Sequence, residues 1–185
     1  MKVYTRRGDG GETDLFGGER VAKDHQRVST CGDVDELNAC LGVAASATAQ
    51  DDLRLLVREI QGSLFDLGGT LATPDAGHRE KKQVPGVSAQ DVAELEARID
   101  AFDAELEPLQ RFILPGGTPA AATLHHARTV CRRAERSSVA LARDAAVDEV
   151  AIRYLNRLSD LLFVMARVDN RRAGVADVEW LGSER

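Results

Sequence analysis

The sequence predicts an all-α protein, an up-and-down bundle of five helices preceded by a glycine-rich irregular segment. Three observations carry this. Apolar residues make up 43% of the 185-residue chain and aromatics only 4%, a composition that favours helix-on-helix packing over an aromatic-rich sheet. Five stretches repeat apolar residues at steps of three and four. Most links between them are short, as antiparallel neighbours require. The length suits one domain, residues 1–185, divided into an N-terminal segment 1–27, a bundle 33–172 and a tail 173–185. No longer repeat is present.

In chain order, residues 1–27 lack helical character. Gly8, Gly10, Gly11, Gly17 and Gly18 crowd a stretch that also holds Thr5, Arg6, Arg7, Asp9, Thr13, Asp14 and Lys23. Glycines let backbone N–H groups turn toward a ligand, and the hydroxyls and cations add donors, so a phosphate cradle is conceivable. The spacing does not match a Walker A loop, and on these residues alone a frayed terminus is the preferred account.

The first helix is expected near Asp33, where Asp33-Val-Asp-Glu36 resembles a capping box and Val34, Leu37, Leu41 and Ala44 form one apolar face. The second is written by Leu53, Leu56, Val57, Ile60, Leu64, Leu67 and Leu71. From Thr73 to Gly86 the pattern gives way to Pro74, Gly77, Pro85 and a charged run, which predicts a long exposed loop with His78 in solvent. Ser88 then caps a third helix, with Asp91 at the box position and Val92, Leu95, Ile99, Phe102 and Leu106 inward. Its outer face holds seven carboxylates against Arg98, which a solvated surface explains. Pro108 ends it. The apolar connection Phe112-Ile-Leu-Pro-Gly-Gly-Thr-Pro119 is either buried or contacts a nonpolar ligand.

Thr118 and Pro119 start the fourth helix. Arg128, Arg132 and Arg136 lie four residues apart and form one stripe, with Glu135 beside it. Five arginines and one glutamate between Arg128 and Arg143 stand out in a chain of net charge −6. Like charges at this spacing repel, so an anion or a partner carboxylate against the stripe is favoured over a solvated face. His125 and His126 point in different directions and read as core or surface residues, not a metal pair. In the fifth helix, Ile152, Leu155, Leu158, Leu162, Met165 and Val168 face inward. Asn156, Asp160 and Arg167 form a polar line that a solvated flank would explain equally well. The tail, with the single Trp180, is expected to be extended.

Some classes are disfavoured. The acidic balance argues against general nucleic-acid binding. Cys31, Cys40 and Cys131 are too few and scattered for a disulfide framework or zinc site, and read as reduced core residues. No apolar run approaches the roughly 20 residues of a membrane span. The expectation is a soluble, cytoplasmic protein with no membrane contact. The residues offer no Ser–His–Asp or Cys–His set and no paired carboxylates in a recognisable motif. Chemistry would therefore rest on anion stabilisation and a reactive ligand brought from outside.

Five stretches together resemble one family: Tyr4-Thr-Arg-Arg-Gly-Asp-Gly-Gly-Glu-Thr13, Gly32-Asp-Val-Asp-Glu-Leu-Asn38, Phe112-Ile-Leu-Pro-Gly-Gly117, Cys131-Arg-Arg-Ala-Glu-Arg136 and Tyr154-Leu-Asn-Arg-Leu-Ser-Asp-Leu-Leu-Phe163. In this order, over nearly the whole chain, they are similar to the PduO-type ATP:cob(I)alamin adenosyltransferases. Cys31 departs from the pattern, where an aromatic residue is expected, and touches only local packing. The resemblance implies a homotrimer with ATP at each subunit interface. It also implies attack by cob(I)alamin on the ribose C5′ of ATP, giving adenosylcobalamin and triphosphate. Thr5, Arg6, Arg7, Gly8, Thr13, Asp14 and Lys23 would wrap the triphosphate. Arg132, Arg133, Glu135, Arg136 and Asn156 would complete the nucleotide site, Arg132 and Asn156 serving catalysis. Mg²⁺ would be bound through the phosphates and not by a dedicated protein site. Arg128 would pair with an Asp35 across the subunit boundary and border the corrinoid, and Phe112 would exclude its lower axial base. Implied partners are a cob(II)alamin reductase and a B12-dependent enzyme such as a mutase. The N-terminal segment is expected to order when ATP binds. Two other readings remain: a carrier that hands corrinoid or nucleotide to an enzyme without chemistry, and a purely structural trimer.

Overall fold

The computed structural model describes residues 4–182. Two short antiparallel strands come first, β1 (Glu12–Asp14) and β2 (Arg20–Ala22), pairing Glu12 with Ala22, Thr13 with Val21 and Asp14 with Arg20. The helices follow: α1 (Gln26–Ala47), α2 (Asp51–Leu71), α3 (Ala76–Lys82) and α4 (Ala89–Asp103). Strand β3 (Ile113–Leu114) precedes α5 (Pro119–Leu141) and α6 (Glu149–Arg172), and β4 (Val178–Glu179) returns to pair antiparallel with β3. Helix α1 packs on α2 and α5, and α6 on α5 and α4. The core therefore runs from Leu37 and Leu41 of α1 through Leu64 and Leu67 of α2 to Leu124, Leu155, Leu162 and Met165. Each such leucine contributes about 1.5–3 kcal/mol by leaving water.

Two expectations are corrected. Helix α1 begins at Gln26, not near Asp33, because Arg27, Thr30 and Val34 extend the buried face of Leu37 and Leu41 upstream. His25 caps it, its Nδ1 accepting from the Arg27 amide at 3.1 Å. Asp33 lies inside the helix and faces α5, so it is no N-cap. Residues 73–86 are not all loop: Asp75 accepts from the amides of Gly77 and His78 and starts the seven-residue α3. The described residues thus hold six helices, five long and one short. Helix α4 ends at Asp103, ahead of Pro108. Two other starts match their sequence signals: Ser88 and Asp91 form a capping box, and Thr118 accepts from Ala121 with Pro119 in the first turn. Asp148 caps α6, its side chain accepting from the Val150 amide.

Polar groups inside the bundle fix its joints. Arg27, 3% exposed, donates to the carbonyls of Leu71 (2.7 Å) and Ala146 (3.4 Å), and burial lowers its pKa. Arg172 donates to Glu105 and Asp52, tying the end of α6 to α2 and to the residues after α4. Cys131 is buried and donates its S–H to the Leu155 carbonyl at 3.1 Å, while Cys31 and Cys40 are half-buried and all three are free. Among the described residues no helix is long and apolar enough to cross a membrane.

Candidate functional site

The basic face of α5 divides by partner. Arg133 points to α1, where its Nε lies 3.0 Å from Asp33 Oδ1 and its Nη2 pairs with Glu36. Ser137 donates to the other Asp33 oxygen at 2.5 Å. Arg132 and Arg136, one turn apart, are exposed and have no ion-pair partner among the described residues. Arg128 is half-buried, its guanidinium carbon 5.9 Å from the Phe163 ring centroid, and its buried Nε has no hydrogen-bond partner among the described residues. Burial, and then the charge of Arg132, lower its pKa.

Beside this stripe, Asn156 Nδ2 donates to Glu135 Oε1 at 3.0 Å, joining α6 to α5. The pair lines a cleft of about 430 Å³ with Val92 and Glu96 of α4 and Ile152, Arg153 and Arg157 of α6. Arg157 is bound to Glu96 at 3.0 Å and Asp160 at 2.8 Å. The three residues read as one polar line in α6 therefore differ. Asn156 faces the cleft and Asp160 holds Arg157. Arg167 is buried against Asp177 and the Glu107 carbonyl, not solvated.

The N-terminal residues form a second cluster on the β1–β2 hairpin. The Lys23 amine lies 3.2 Å from the place a Gly8 side chain would occupy, so glycine there lets the ammonium lie against the backbone. Lys23 N–H also donates to Gly11 O at 2.8 Å. Arg7 pairs with Asp14 at 3.1 Å, and Thr5 Oγ1 accepts from the Arg7 amide at 3.4 Å. Arg6 takes a positive φ of 62° and covers the Tyr4 ring at 5.4 Å. Thr13, in the middle of β1, is half-buried opposite Val21. Sequence reasoning missed Arg20, which holds this cluster together. It donates to Glu12 at 2.8 Å, Asp14 at 3.3 Å and the Arg7 carbonyl at 2.6 Å. The hydrogen bond to Glu12 is the main cause of its raised pKa. The available signal was two short strands with Arg20 opposite Asp14.

The hairpin docks on the corner between α2 and α3. Phe16 N–H donates to Ala72 O at 3.0 Å, and the Phe16 ring meets His78 edge to face with centroids 6.3 Å apart. Among the described residues, those lining the Glu135–Asn156 cleft come only from α4, α5 and α6. Phe112, immediately ahead of β3, is 80% exposed, and Asp35 is exposed on α1. Of the two α5 histidines, His125 is buried against Phe163 with neither ring nitrogen bonded among the described residues, and His126 is exposed. Among the described residues no group of three potential metal ligands gathers.

A helical bundle with two arginines free of ion pairs among the described residues, beside an amide–carboxylate pair, and a glycine-rich hairpin carrying Arg6, Arg7, Arg20 and Lys23 offer donors suited to a polyanionic ligand. Residues 3–169 match the family model described as cobalamin adenosyltransferase, and the chain belongs to that family. It is 47% identical over 184 residues to a corrinoid adenosyltransferase of Bacillus subtilis, covering 97% of this chain and 92% of the relative. It is 45% identical to the corrinoid adenosyltransferase PduO of Salmonella typhimurium, covering 96% of this chain but 52% of that longer protein. The fold superposes with a TM-score of 0.92 on a PduO-type ATP:corrinoid adenosyltransferase of Lactobacillus reuteri, a phenylalanine-to-alanine variant complexed with cobalamin and ATP. That structure is 37% identical, covering 98% of this chain and 100% of the other. An arginine-to-lysine variant of that kind complexed with ATP gives 0.87, again at 37% identity, covering 96% of this chain and 99% of the other.

Proposed function

We propose that this protein transfers the 5′-deoxyadenosyl group of ATP to cob(I)alamin. The cobalt lone pair forms the Co–C5′ bond while the C5′–O bond breaks and triphosphate leaves with its electron pair. The observation that carries this is the pair Arg132 and Arg136, free of ion-pair partners among the described residues, beside Asn156–Glu135. A nucleophile as strong as Co(I) needs no general base. The remaining work is to position ATP and to stabilise charge on the departing triphosphate. Arg132 would take that charge, and Arg136 would hold the phosphates. Asn156, fixed by Glu135, would orient the nucleoside in the cleft.

Thr5, Arg6, Arg7, Gly8, Thr13, Asp14 and Lys23 would enclose the triphosphate from the hairpin. The hairpin docks on the α2–α3 corner while the cleft is lined by α4, α5 and α6, an arrangement that supports a site completed between copies of the chain in a homotrimer. Asp35 of a neighbouring copy would then reach the unpartnered Arg128 Nε at the edge of the corrinoid. Glu12 and Asp14 are already committed to Arg20 and Arg7. Mg²⁺ therefore fits as an ion held by phosphate oxygens and water. Exposed Phe112 would lie under the corrin and displace the lower axial base, easing reduction of Co(II). A cytoplasmic setting, a cob(II)alamin reductase and a B12-dependent acceptor enzyme complete the reading.

The test is anaerobic incubation of chemically reduced cobalamin with MgATP, followed by visible absorbance and a triphosphate assay. Adenosylcobalamin and triphosphate are expected one for one. Tight corrinoid binding without turnover would replace the transferase by a carrier.

A further inference from the structure

The Phe112 backbone is held from the far end of the chain. Trp180 N–H donates to the Phe112 carbonyl at 2.8 Å, one step beyond the β3–β4 pairing of Ile113 with Glu179 and Leu114 with Val178. The tail that supplies this bond is tied down by Asp177. One Asp177 carboxylate oxygen accepts from Arg167 Nε at 2.9 Å, the other from Asn170 Nδ2 at 3.2 Å. Asn170, 2% exposed, also holds the other side of the Phe112 loop: its Nδ2 donates to Gly116 O at 3.2 Å, and its Oδ1 accepts from Thr118 N–H at 2.9 Å. Gly117 makes this possible. Its φ is 106°, and a side chain there would lie 2.0 Å from the Asn170 oxygen.

We infer that Asp177, through Asn170 and the β4 strand, is a positioning residue that sets the height of Phe112, and with it the corrinoid's axial ligation. The physical case is geometric. An 80% exposed phenylalanine has few packing neighbours to fix it, so its placement depends on its backbone. That backbone is bracketed on both sides by groups that converge on Asp177 and Asn170. Their anchor, α6, is buried over this stretch: Arg167, Asp169 and Asn170 are all at most 6% exposed. Asp169 adds rigidity by accepting from both Thr48 and Thr118. The loop is thus tied to a fixed helix by a fully hydrogen-bonded polar group, the arrangement that stiffens a site.

This inference rests on the reading of Phe112 given above, and the test separates the two. The variants are Asp177→Ala, Trp180→Pro, which removes the N–H donor, and Trp180→Ala, which keeps it. Each is also combined with Phe112→Ala. Bound cob(II)alamin with MgATP is read by visible absorbance and electron paramagnetic resonance for loss of the axial base, and turnover by kcat and by KM for ATP. Asp177→Ala and Trp180→Pro are expected to lower the base-free fraction and to cut kcat by about 10- to 100-fold, the scale of a roughly 1 Å misplacement. KM for ATP should stay unchanged, Trp180→Ala should lose less than Trp180→Pro, and neither Asp177→Ala nor Trp180→Pro should lose more in the Phe112→Ala background. If Phe112→Ala alters spectrum and kcat while Asp177→Ala and Trp180→Pro leave both intact, the positioning role is overturned. If Phe112→Ala itself moves neither, the reading of Phe112 falls first.

Discussion

The two halves of the proposed nucleotide site are built in different ways. On α5 and α6 the functional side chains extend from helices whose opposite faces are buried, so Glu135 and Asn156 are placed by Leu124, Cys131, Leu155 and Leu158 behind them. On the hairpin, placement depends on three-residue strands and on ion pairs among exposed groups around Arg20. Exposed pairs hold weakly, because water and salt screen both charges and two long side chains must be ordered. A buried scaffold suits groups that meet the transition state, where small displacements are costly. A lightly held arm suits groups that close over a ligand after it arrives.

Substitutions should sharpen that contrast. The largest effect belongs to the helical half: Arg132→Ala is expected to lower kcat/KM by roughly 1.5–3 kcal/mol, about 10- to 100-fold, mainly through kcat, with the circular dichroism melt unchanged. On the hairpin, Arg20→Ala should raise KM for ATP by only about 2- to 5-fold, the scale of an exposed ion pair, and leave kcat near its original value. Limited proteolysis tests the same idea without substitution. MgATP should slow cleavage within residues 4–25 and leave cleavage of the α3 region unaffected. Equal rates with and without MgATP would dissolve the contrast.

The smallest effect concerns stability and pH. Burial alone would raise the Asp52 pKa, but hydrogen bonds from Arg172 and from the Leu53 amide hold it below its ordinary value. Such a group stabilises the fold above the unfolded carboxylate pKa of about 4, and the contribution disappears as pH falls through the lower folded value. Arg172→Ala should therefore lower the urea midpoint at pH 7, and the gap to the unaltered protein should narrow below about pH 4.

Legibility in the sequence follows the same division. The α2 stripe from Leu53 to Leu71 was readable because a one-sided helix writes its burial at a period of 3.6. The same period put Arg132 and Arg136 on one face. The true start of α1 at Gln26 is masked in the sequence because Asp33-Val-Asp-Glu36 looks like a cap. The burial of Arg27 and Thr30 that extends the helix depends on the carbonyls of Leu71, Ala146 and Ser137, far away in sequence. Arg133 could not be separated from its neighbours without knowing that α1 presents Asp33 and Glu36 to it. Arg20 required the hairpin register. Asn170 and Asp177 required the fold, since nothing in their spacing announces a tie to Gly116 or Phe112. Helix α3 has no buried side chains and so leaves no periodic trace.

Arg27 gives the arm a defined root. Its guanidinium bonds to backbone 44 and 119 residues away, so the first turn of α1 cannot fray without releasing the end of α2 and the turn before α6. Amide exchange should therefore change character within a few residues. Amides ahead of His25 should open by local fluctuation, and those of the third turn of α1 and beyond only when the bundle unfolds as a whole. The arm then behaves as a flap on a fixed pivot, and a ligand that immobilises it stops at that pivot, spending no binding energy on reordering the bundle.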